Sequence, residues 1–248
     1  MNTQNNNTPP CYFFRFGLIV TGRGEEKHLP KLLRSLAVYG CTFQVIRRIG
    51  QLNPQTSKKR QVSSFVGSRK KLPVPQKDIY QISEPTKNYL NKNPCSYVLL
   101  IDDLEYDRID IAPQVFERYR QALDYLLDDN QKHRVSVHFL VNMLEAYYFA
   151  DANAINSVLS THLKDYEGDV ETIRHPKRDF KKLYKGFDEI EHGGQILSKL
   201  DVEHVLSNPE SCASLRTLFL WCFKAMGIAP TDKYQLLEGR LNDITQSQ

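Results

Sequence analysis

Acidic side chains are concentrated at the end of one apolar stretch of the sequence, residues 97–105, which reads Y-V-L-L-I-D-D-L-E. Asp102, Asp103 and Glu105 are close enough in sequence to repel one another, so a cation is expected beside them. The cation is either a divalent metal or a basic side chain, and the metal is the sharper hypothesis. The alternative is a strand-to-loop junction in which Asp102 caps a turn and the other two carboxylates are solvated.

Two further acids follow other apolar segments. Glu25 comes after residues 13–21 and a glycine-containing turn, and Glu145 lies about one turn into the helix predicted after residues 135–141. If these strands are parallel, their carboxyl ends meet at one crevice. Carboxylates from separate strands suit Mg²⁺ or Mn²⁺, because a hard cation takes oxygen ligands and keeps water at its remaining positions. The turn Gly22-Arg23-Gly24 lacks the Lys-Ser/Thr of a P-loop, so an NTPase is not indicated.

The segments that position these acids alternate between two patterns. Buried-strand patterns predict strands at residues 13–21, 41–49, 97–105 and 135–141. Apolar stripes at helical spacing predict helices after residue 24 and around residues 79–90, 113–127 and 143–159. This alternation is typical of an α/β protein with a mainly parallel sheet flanked by helices. From about residue 163 the pattern becomes helical, and residues 209–226 form the last amphipathic helix.

Length and composition indicate one sizeable core. The 248 residues are 41% hydrophobic and 25% charged, which is ordinary for a globular protein. We predict a disordered tail at residues 1–12, an α/β domain at 13–162 with a basic loop inserted at 51–77, and a helical C-terminal portion at 163–248 packed on it. No apolar run reaches the roughly 20 residues of a membrane span, and the polar start lacks a signal segment, so a cytoplasmic location is expected. The odd number of cysteines, without a C-x-x-C pair, predicts reduced thiols.

Positive charge is concentrated in the loop at residues 51–77, which contains basic residues and no acid. The chain as a whole has a net charge of +4. Such a loop can follow a phosphate backbone through contacts that weaken with salt. The predicted nucleic-acid contacts are Lys58, Lys59, Arg60, Arg69, Lys70 and Lys71. The alternative is a flexible insertion that only adds solubility.

A strand, then G-x-x-E, then an acidic pair after a later buried strand resembles the Toprim domain of topoisomerases, primases and the overcoming-lysogenization-defect nucleases. Within that group the chain resembles a Toprim-like family of bacterial defence-associated proteins, domain-of-unknown-function family 4276. The family's E-A-W/Y-x-x-A-D motif is matched by residues 145–151, its P-K motif by Pro176-Lys177, and its D-x-x-x-(V/I/L) segment by residues 201–205. The resemblance covers roughly residues 13–226.

This resemblance implies a Mg²⁺- or Mn²⁺-dependent nuclease of a defence system, acting on DNA or RNA. The expected metal ligands are Asp102, Asp103, Glu105 and Glu25, and the expected catalytic residues are Glu25, Asp103 and Glu145. A partner protein, such as an ATPase of the same system, is a further expectation.

The sequence departs from the family at one position. Relatives read V-E-G-x-x-E, whereas here Thr21 stands in place of the first glutamate. A threonine hydroxyl binds Mg²⁺ less well than a carboxylate and does not titrate near neutral pH. Either Glu25 or Glu26 takes over its role, or the chain is a catalytically degenerate module that binds nucleic acid or a partner protein.

Overall fold

Four parallel strands form the central sheet of the computed structural model, which describes residues 11–51, 74–228, 234–237 and 240–243. The strands are β1 (Phe14–Val20), β2 (Cys41–Arg48), β3 (Ser96–Leu104) and β4 (Val135–Val141). Their order in the sheet is β2-β1-β3-β4. The chain therefore leaves β1 towards one edge and returns to its other side with β3, which opens a crevice at the carboxyl ends of β1 and β3.

Helices cover the sheet and form most of the C-terminal part. The α-helices are α1 (Arg23–Leu32), α2 (Gln76–Asp78), α3 (Glu84–Leu90), α4 (Ala112–Asp124), α5 (Asp129–Lys132), α6 (Ala152–Leu159), α7 (Pro176–Leu183), α8 (Glu191–Lys199), α9 (Val202–Ser207) and α10 (Ala213–Ala225). Short 3₁₀ segments are Leu33–Tyr39, Tyr106–Ile111, Leu144–Ala150 and Val170–Thr172, and Ile79–Ser83 is a π-helical turn. Two antiparallel strands, β5 (Tyr234–Leu237) and β6 (Arg240–Asp243), follow. The predicted α/β class, with helices towards the C-terminus, is confirmed.

Each face of the sheet carries its own hydrophobic core. Successive side chains of a strand point to opposite faces, so Leu99 and Ile101 of β3 pack with α1 and the C-terminal helices, while Val98 and Leu100 pack with α4. The C-terminal helices contribute residues such as Phe180, Ile196 and Leu218 to the first core. The same alternation sends Asp103 towards the first face and Asp102 towards the second.

The predicted continuous helix at residues 143–159 is wrong, because the structure divides it into two elements. Asn142 and Met143 have φ values of 57° and 76°, which no helix contains, and the following residues form only a 3₁₀ segment. The side chain of Asp151 then accepts a hydrogen bond from the Ala154 N–H and caps α6. Similarly, the last helix begins at Ala213 rather than at residue 209, because Cys212 adopts a left-handed backbone conformation with φ 60°.

A disulfide joins Cys11 to Cys95, with 5.7 Å between the Cα atoms. The expectation of reduced thiols is therefore wrong for this pair, because the fold brings two cysteines 84 residues apart in the chain to bonding distance. Cys41, Cys212 and Cys222 are free and buried, as expected.

Two other expectations concern the basic loop and membrane-spanning segments. The six basic residues predicted to contact nucleic acid, Lys58, Lys59, Arg60, Arg69, Lys70 and Lys71, lie outside the described residues. Within the described part of the chain, none of the helices is both long enough and apolar enough to cross a membrane.

Candidate functional site

Three carboxylates meet at the crevice: Glu25 from α1, Asp103 near the end of β3, and Glu145 from the 3₁₀ segment after β4. We call this set the acid cluster. The three residues are only 3%, 3% and 4% exposed. The carboxyl groups of Glu25 and Glu145 both act on Asp103 and raise its pKa. The backbone N–H of Leu144 donates to Asp103 Oδ1 over 3.1 Å. The structure thus brings together the three residues that the sequence analysis named as catalytic.

Gly22 makes room for the Glu25 carboxylate. A Cβ atom added to Gly22 would lie 1.9 Å from Glu25 Oε2 and 2.8 Å from its Cδ. Gly22 is the residue just before α1. Because Gly22 has no side chain, Glu25 in the first turn of α1 can place its carboxylate against the Gly22 backbone. The spacing G-x-x-E therefore has a steric reason in this protein.

Two acids of the cluster, Asp103 and Glu145, bind protons tightly. Burial raises the pKa of Asp103 well above its usual range, and the neighbouring charges of Glu25 and Glu145 raise it further. Burial also raises the pKa of Glu145 to about 7, against the opposing attraction of Lys177. Without another cation at the site, the cluster is therefore partly protonated at neutral pH.

Lys177 supplies the positive charge beside the cluster. Its Nζ lies 3.6 Å from Glu145 Oε1 and 3.2 Å from Glu189 Oε2. Burial lowers the pKa of Lys177, but the carboxylates of Glu145 and Glu189 outweigh it and raise the pKa above the ordinary lysine value. In the sequence, Pro176-Lys177 stands out only as a motif, and nothing there predicts this contact. Its one sequence signal is that Lys177 immediately follows the proline that begins α7.

Asp102 lies in a separate network on the other face of the sheet. Its Oδ2 is 2.6 Å from Arg108 Nη2 and accepts from the Tyr119 hydroxyl at 3.0 Å, while Oδ1 accepts from Arg108 Nη1 at 3.2 Å. The cation that the sequence predicts beside Asp102 is thus an arginine from the adjacent 3₁₀ segment. Glu105 lies beyond the end of β3 and is partly exposed. The structure does not group Asp102 or Glu105 with the acid cluster, and their ligation of a metal stays a prediction.

Thr21 connects the two networks. Its hydroxyl donates to Asp102 Oδ1 over 2.9 Å and accepts from the backbone N–H of Asp103 at 3.3 Å. Of the two glutamates that could replace the missing acid at this position, Glu26 forms a 3.2 Å ion pair with Arg48 at the surface. Glu25 is therefore the one that faces the cluster.

The donor chemistry of the cluster fits a hard divalent cation. Glu25 Oε2 and Glu145 Oε2 are buried and have no hydrogen-bond partner, and carboxylate oxygens are the donors that Mg²⁺ and Mn²⁺ prefer. Nevertheless, among the described residues, no three or more His, Cys, Asp or Glu side chains are already arranged to hold a metal ion. Binding would therefore require the carboxylates to turn towards the cation.

The chain was compared with family models, curated proteins and solved structures, and a family model matches. No curated protein and no solved structure matches the chain. A family model described as Domain of unknown function (DUF4276) matches residues 20–219, a span that contains all three acids of the cluster and Lys177. Because this match covers most of the chain, the protein belongs to the DUF4276 family.

Proposed function

We propose that this protein is a divalent-metal-dependent phosphodiester hydrolase that acts on nucleic acid at the acid cluster. The observation that carries the proposal is the burial of Glu25, Asp103 and Glu145 together, each at most 4% exposed, with Lys177 next to Glu145. Burying several carboxylates in one place is unfavourable for folding, because charged groups lose their hydration. Clustered acids with strongly shifted pKa values at a crevice are typical of functional sites.

Glu25 and Asp103 would hold Mg²⁺ or Mn²⁺ through their carboxylate oxygens, with Glu145 beside the cation. When bound, such a cation would lower the pKa of a water molecule and offset the negative charge that develops on a phosphate. Asp103 and Glu145 would have to release their protons first, so metal affinity should rise with pH.

Two residues of the site have chemistry suited to hydrolysis. A carboxyl with a pKa of about 7, such as that of Glu145, can accept a proton from water near neutral pH. The ammonium group of Lys177 would offset charge on the phosphoryl oxygens, since it stays protonated and lies beside the cluster.

The biological setting is part of the same proposal. We propose a Toprim-like relationship, a role in a bacterial defence system, and a cytoplasmic location where DNA or RNA is available. The basic residues at 58–71 would follow the phosphate backbone of the substrate. A partner protein, such as an ATPase of the same system, would complete the assembly.

A second candidate is a non-catalytic module that binds nucleic acid or a partner protein. Thr21 favours it, because it stands where relatives carry a glutamate and its hydroxyl is committed to Asp102. Asp102 is in turn committed to Arg108. Two positions at the strand ends are therefore used for structure rather than for binding a cation.

Metal-dependent cleavage of labelled DNA and RNA decides between these candidates. We expect the wild type to cut with Mg²⁺ or Mn²⁺, and Glu25→Gln and Asp103→Asn to lose about 100-fold or more of the rate. Glu26→Gln is the matched control, because Glu26 neighbours Glu25 but pairs with Arg48 outside the cluster.

The outcomes separate the two proposals. No cleavage by the wild type, with Mn²⁺ binding demonstrated by calorimetry, would leave the binding module as the better account. Equal losses in Glu25→Gln and Glu26→Gln would show that the cluster is not the reaction centre.

A further inference from the structure

An aromatic ring and a guanidinium group lie against each other, on two chain segments that also carry residues of the site. The Cζ atom of Arg174 is 4.3 Å from the centroid of the Tyr106 ring. Tyr106 is three residues after Asp103, and Arg174 is three residues before Lys177. Three residues span at most about 10 Å, so both partners are close to groups of the proposed reaction centre. We call Tyr106 and Arg174 the rim pair.

The ring of Tyr106 is available to a ligand. It is 43% exposed, and it belongs to neither of the two hydrophobic cores of the described residues. Arg174 is itself exposed at the surface. The guanidinium of Arg174 lies over the face of the Tyr106 ring. Part of the ring is therefore open to a flat partner.

We propose that the rim pair is a stacking platform for an unpaired nucleobase, which makes single-stranded nucleic acid the preferred substrate. This inference rests on the proposed function. Bases stack on aromatic side chains without regard to sequence, because every base has a π-face. In a duplex both faces of a base are covered by its neighbours, so only an unpaired or unstacked base can occupy the platform. A base held by Tyr106 would bring its neighbouring phosphate towards Asp103 and Lys177.

The guanidinium of Arg174 has two suitable properties for this role. Its charge over the ring strengthens the interaction with a polarisable partner, and its remaining N–H groups can donate to a phosphate oxygen. The simpler alternative is that the rim pair only links the 3₁₀ segment after β3 to the residues before α7. A structural link would not distinguish single strands from duplexes or from strands without bases.

The test measures binding of three fluorescein-labelled DNAs to the full chain, with Ca²⁺ in place of Mg²⁺ to prevent cleavage: a single strand, its duplex, and a strand of abasic sites. We expect the wild type to bind the single strand most tightly. Tyr106→Ala should weaken that Kd by about tenfold while leaving the Kd for the abasic strand unchanged, because only stacking is lost. Tyr106→Phe should behave like the wild type. The control is Tyr125→Ala, since Tyr125 is comparably exposed, at 52%.

The inference is overturned if Tyr106→Ala binds the single strand as tightly as the wild type does, or if this substitution weakens the binding of all three DNAs equally. It is also overturned if the wild type prefers the duplex or binds no DNA. Should Tyr106→Ala not fold, Tyr106→Leu keeps an apolar side chain without a flat face and serves in its place. Cleavage in Mg²⁺ is scored separately. A wild type that binds through Tyr106 but cuts nothing contradicts the hydrolase and supports the platform, whereas one that cuts but is insensitive to Tyr106→Ala contradicts the platform alone.

Discussion

Replacing Glu145 by glutamine should stabilise the metal-free protein at neutral and alkaline pH. Glu145 is 4% exposed, and its Oε2 has no hydrogen-bond partner. Its ionised form is therefore poorly accommodated in the folded state, although Lys177 lies 3.6 Å from its Oε1. Glutamine has nearly the same shape and carries no charge, so the substitution removes the unfavourable ionisation without opening a cavity.

The magnitude follows from the pKa. Burial raises the pKa of Glu145 from 4.5 to about 7, so the folded state holds this proton more tightly than the unfolded state. Stability therefore falls as the pH rises through the window between these two values, and it stays low above it. A shift of this size corresponds to about 3 kcal/mol at alkaline pH. This pKa already includes the attraction of Lys177, so the measured gain should lie in the same range, about 2–3 kcal/mol.

Urea unfolding in EDTA measures this difference. The wild type, Glu145→Gln and the exposed control Glu203→Gln are compared at about pH 4 and about pH 8. Glu145→Gln should resemble the wild type in acid and exceed it in base, while Glu203→Gln follows the wild type at both. Adding Mg²⁺ at the higher pH should then stabilise the wild type more than Glu145→Gln, since ligand binding to the folded state adds stability.

An equal difference at both pH values would refute the reasoning, because a shifted titration must produce a pH-dependent difference. A less stable Glu145→Gln at the higher pH would also refute it. That result would mean that Lys177 fully compensates the buried carboxylate, and that the site has no need of a further cation.

Three further predictions concern groups around the sheet. Gly22→Ala places a Cβ 1.9 Å from Glu25 Oε2 and should displace that carboxylate. Calorimetry should show that the affinity for Mn²⁺ falls about 10- to 100-fold while the fold is retained. An unchanged affinity would mean that Glu25 is not a metal ligand. Arg108→Met leaves the buried Asp102 carboxylate without its ion-pair partner, and urea unfolding should show a loss of about 3–5 kcal/mol of stability. The additional change Asp102→Asn should recover part of that stability. Burial lowers the pKa of His138 to about 3. Below about pH 6.5 this histidine is protonated in the unfolded state but stays neutral in the folded state, so the folded state loses stability in acid. His138→Phe should therefore flatten the stability profile between about pH 6 and about pH 4, and an unchanged acid limb would contradict this cause.

The sequence by itself determined the sheet and the edge at which the acids meet. Apolar runs such as residues 97–101 are long enough for buried strands, and their alternation with helical stripes leaves parallel strands with right-handed crossovers as the consistent arrangement. Acids that follow different strands must then meet at the carboxyl edge, which is why Glu25, Asp103 and Glu145 could be grouped in advance. Local patterns suffice here, because strand direction fixes which end of the sheet each residue reaches.

Only the tertiary structure decided which charges meet at that edge. The two-residue alternation of β3 separates Asp102 from Asp103, but the arginine that neutralises Asp102 arrives through a 3₁₀ segment whose path no pattern specifies. Lys177 reaches Glu145 from a helix that begins more than thirty residues later in the chain. Such partners depend on how distant helices pack against the sheet. Packing is decided by the whole core, so contacts between side chains far apart in sequence are not encoded in any local stretch.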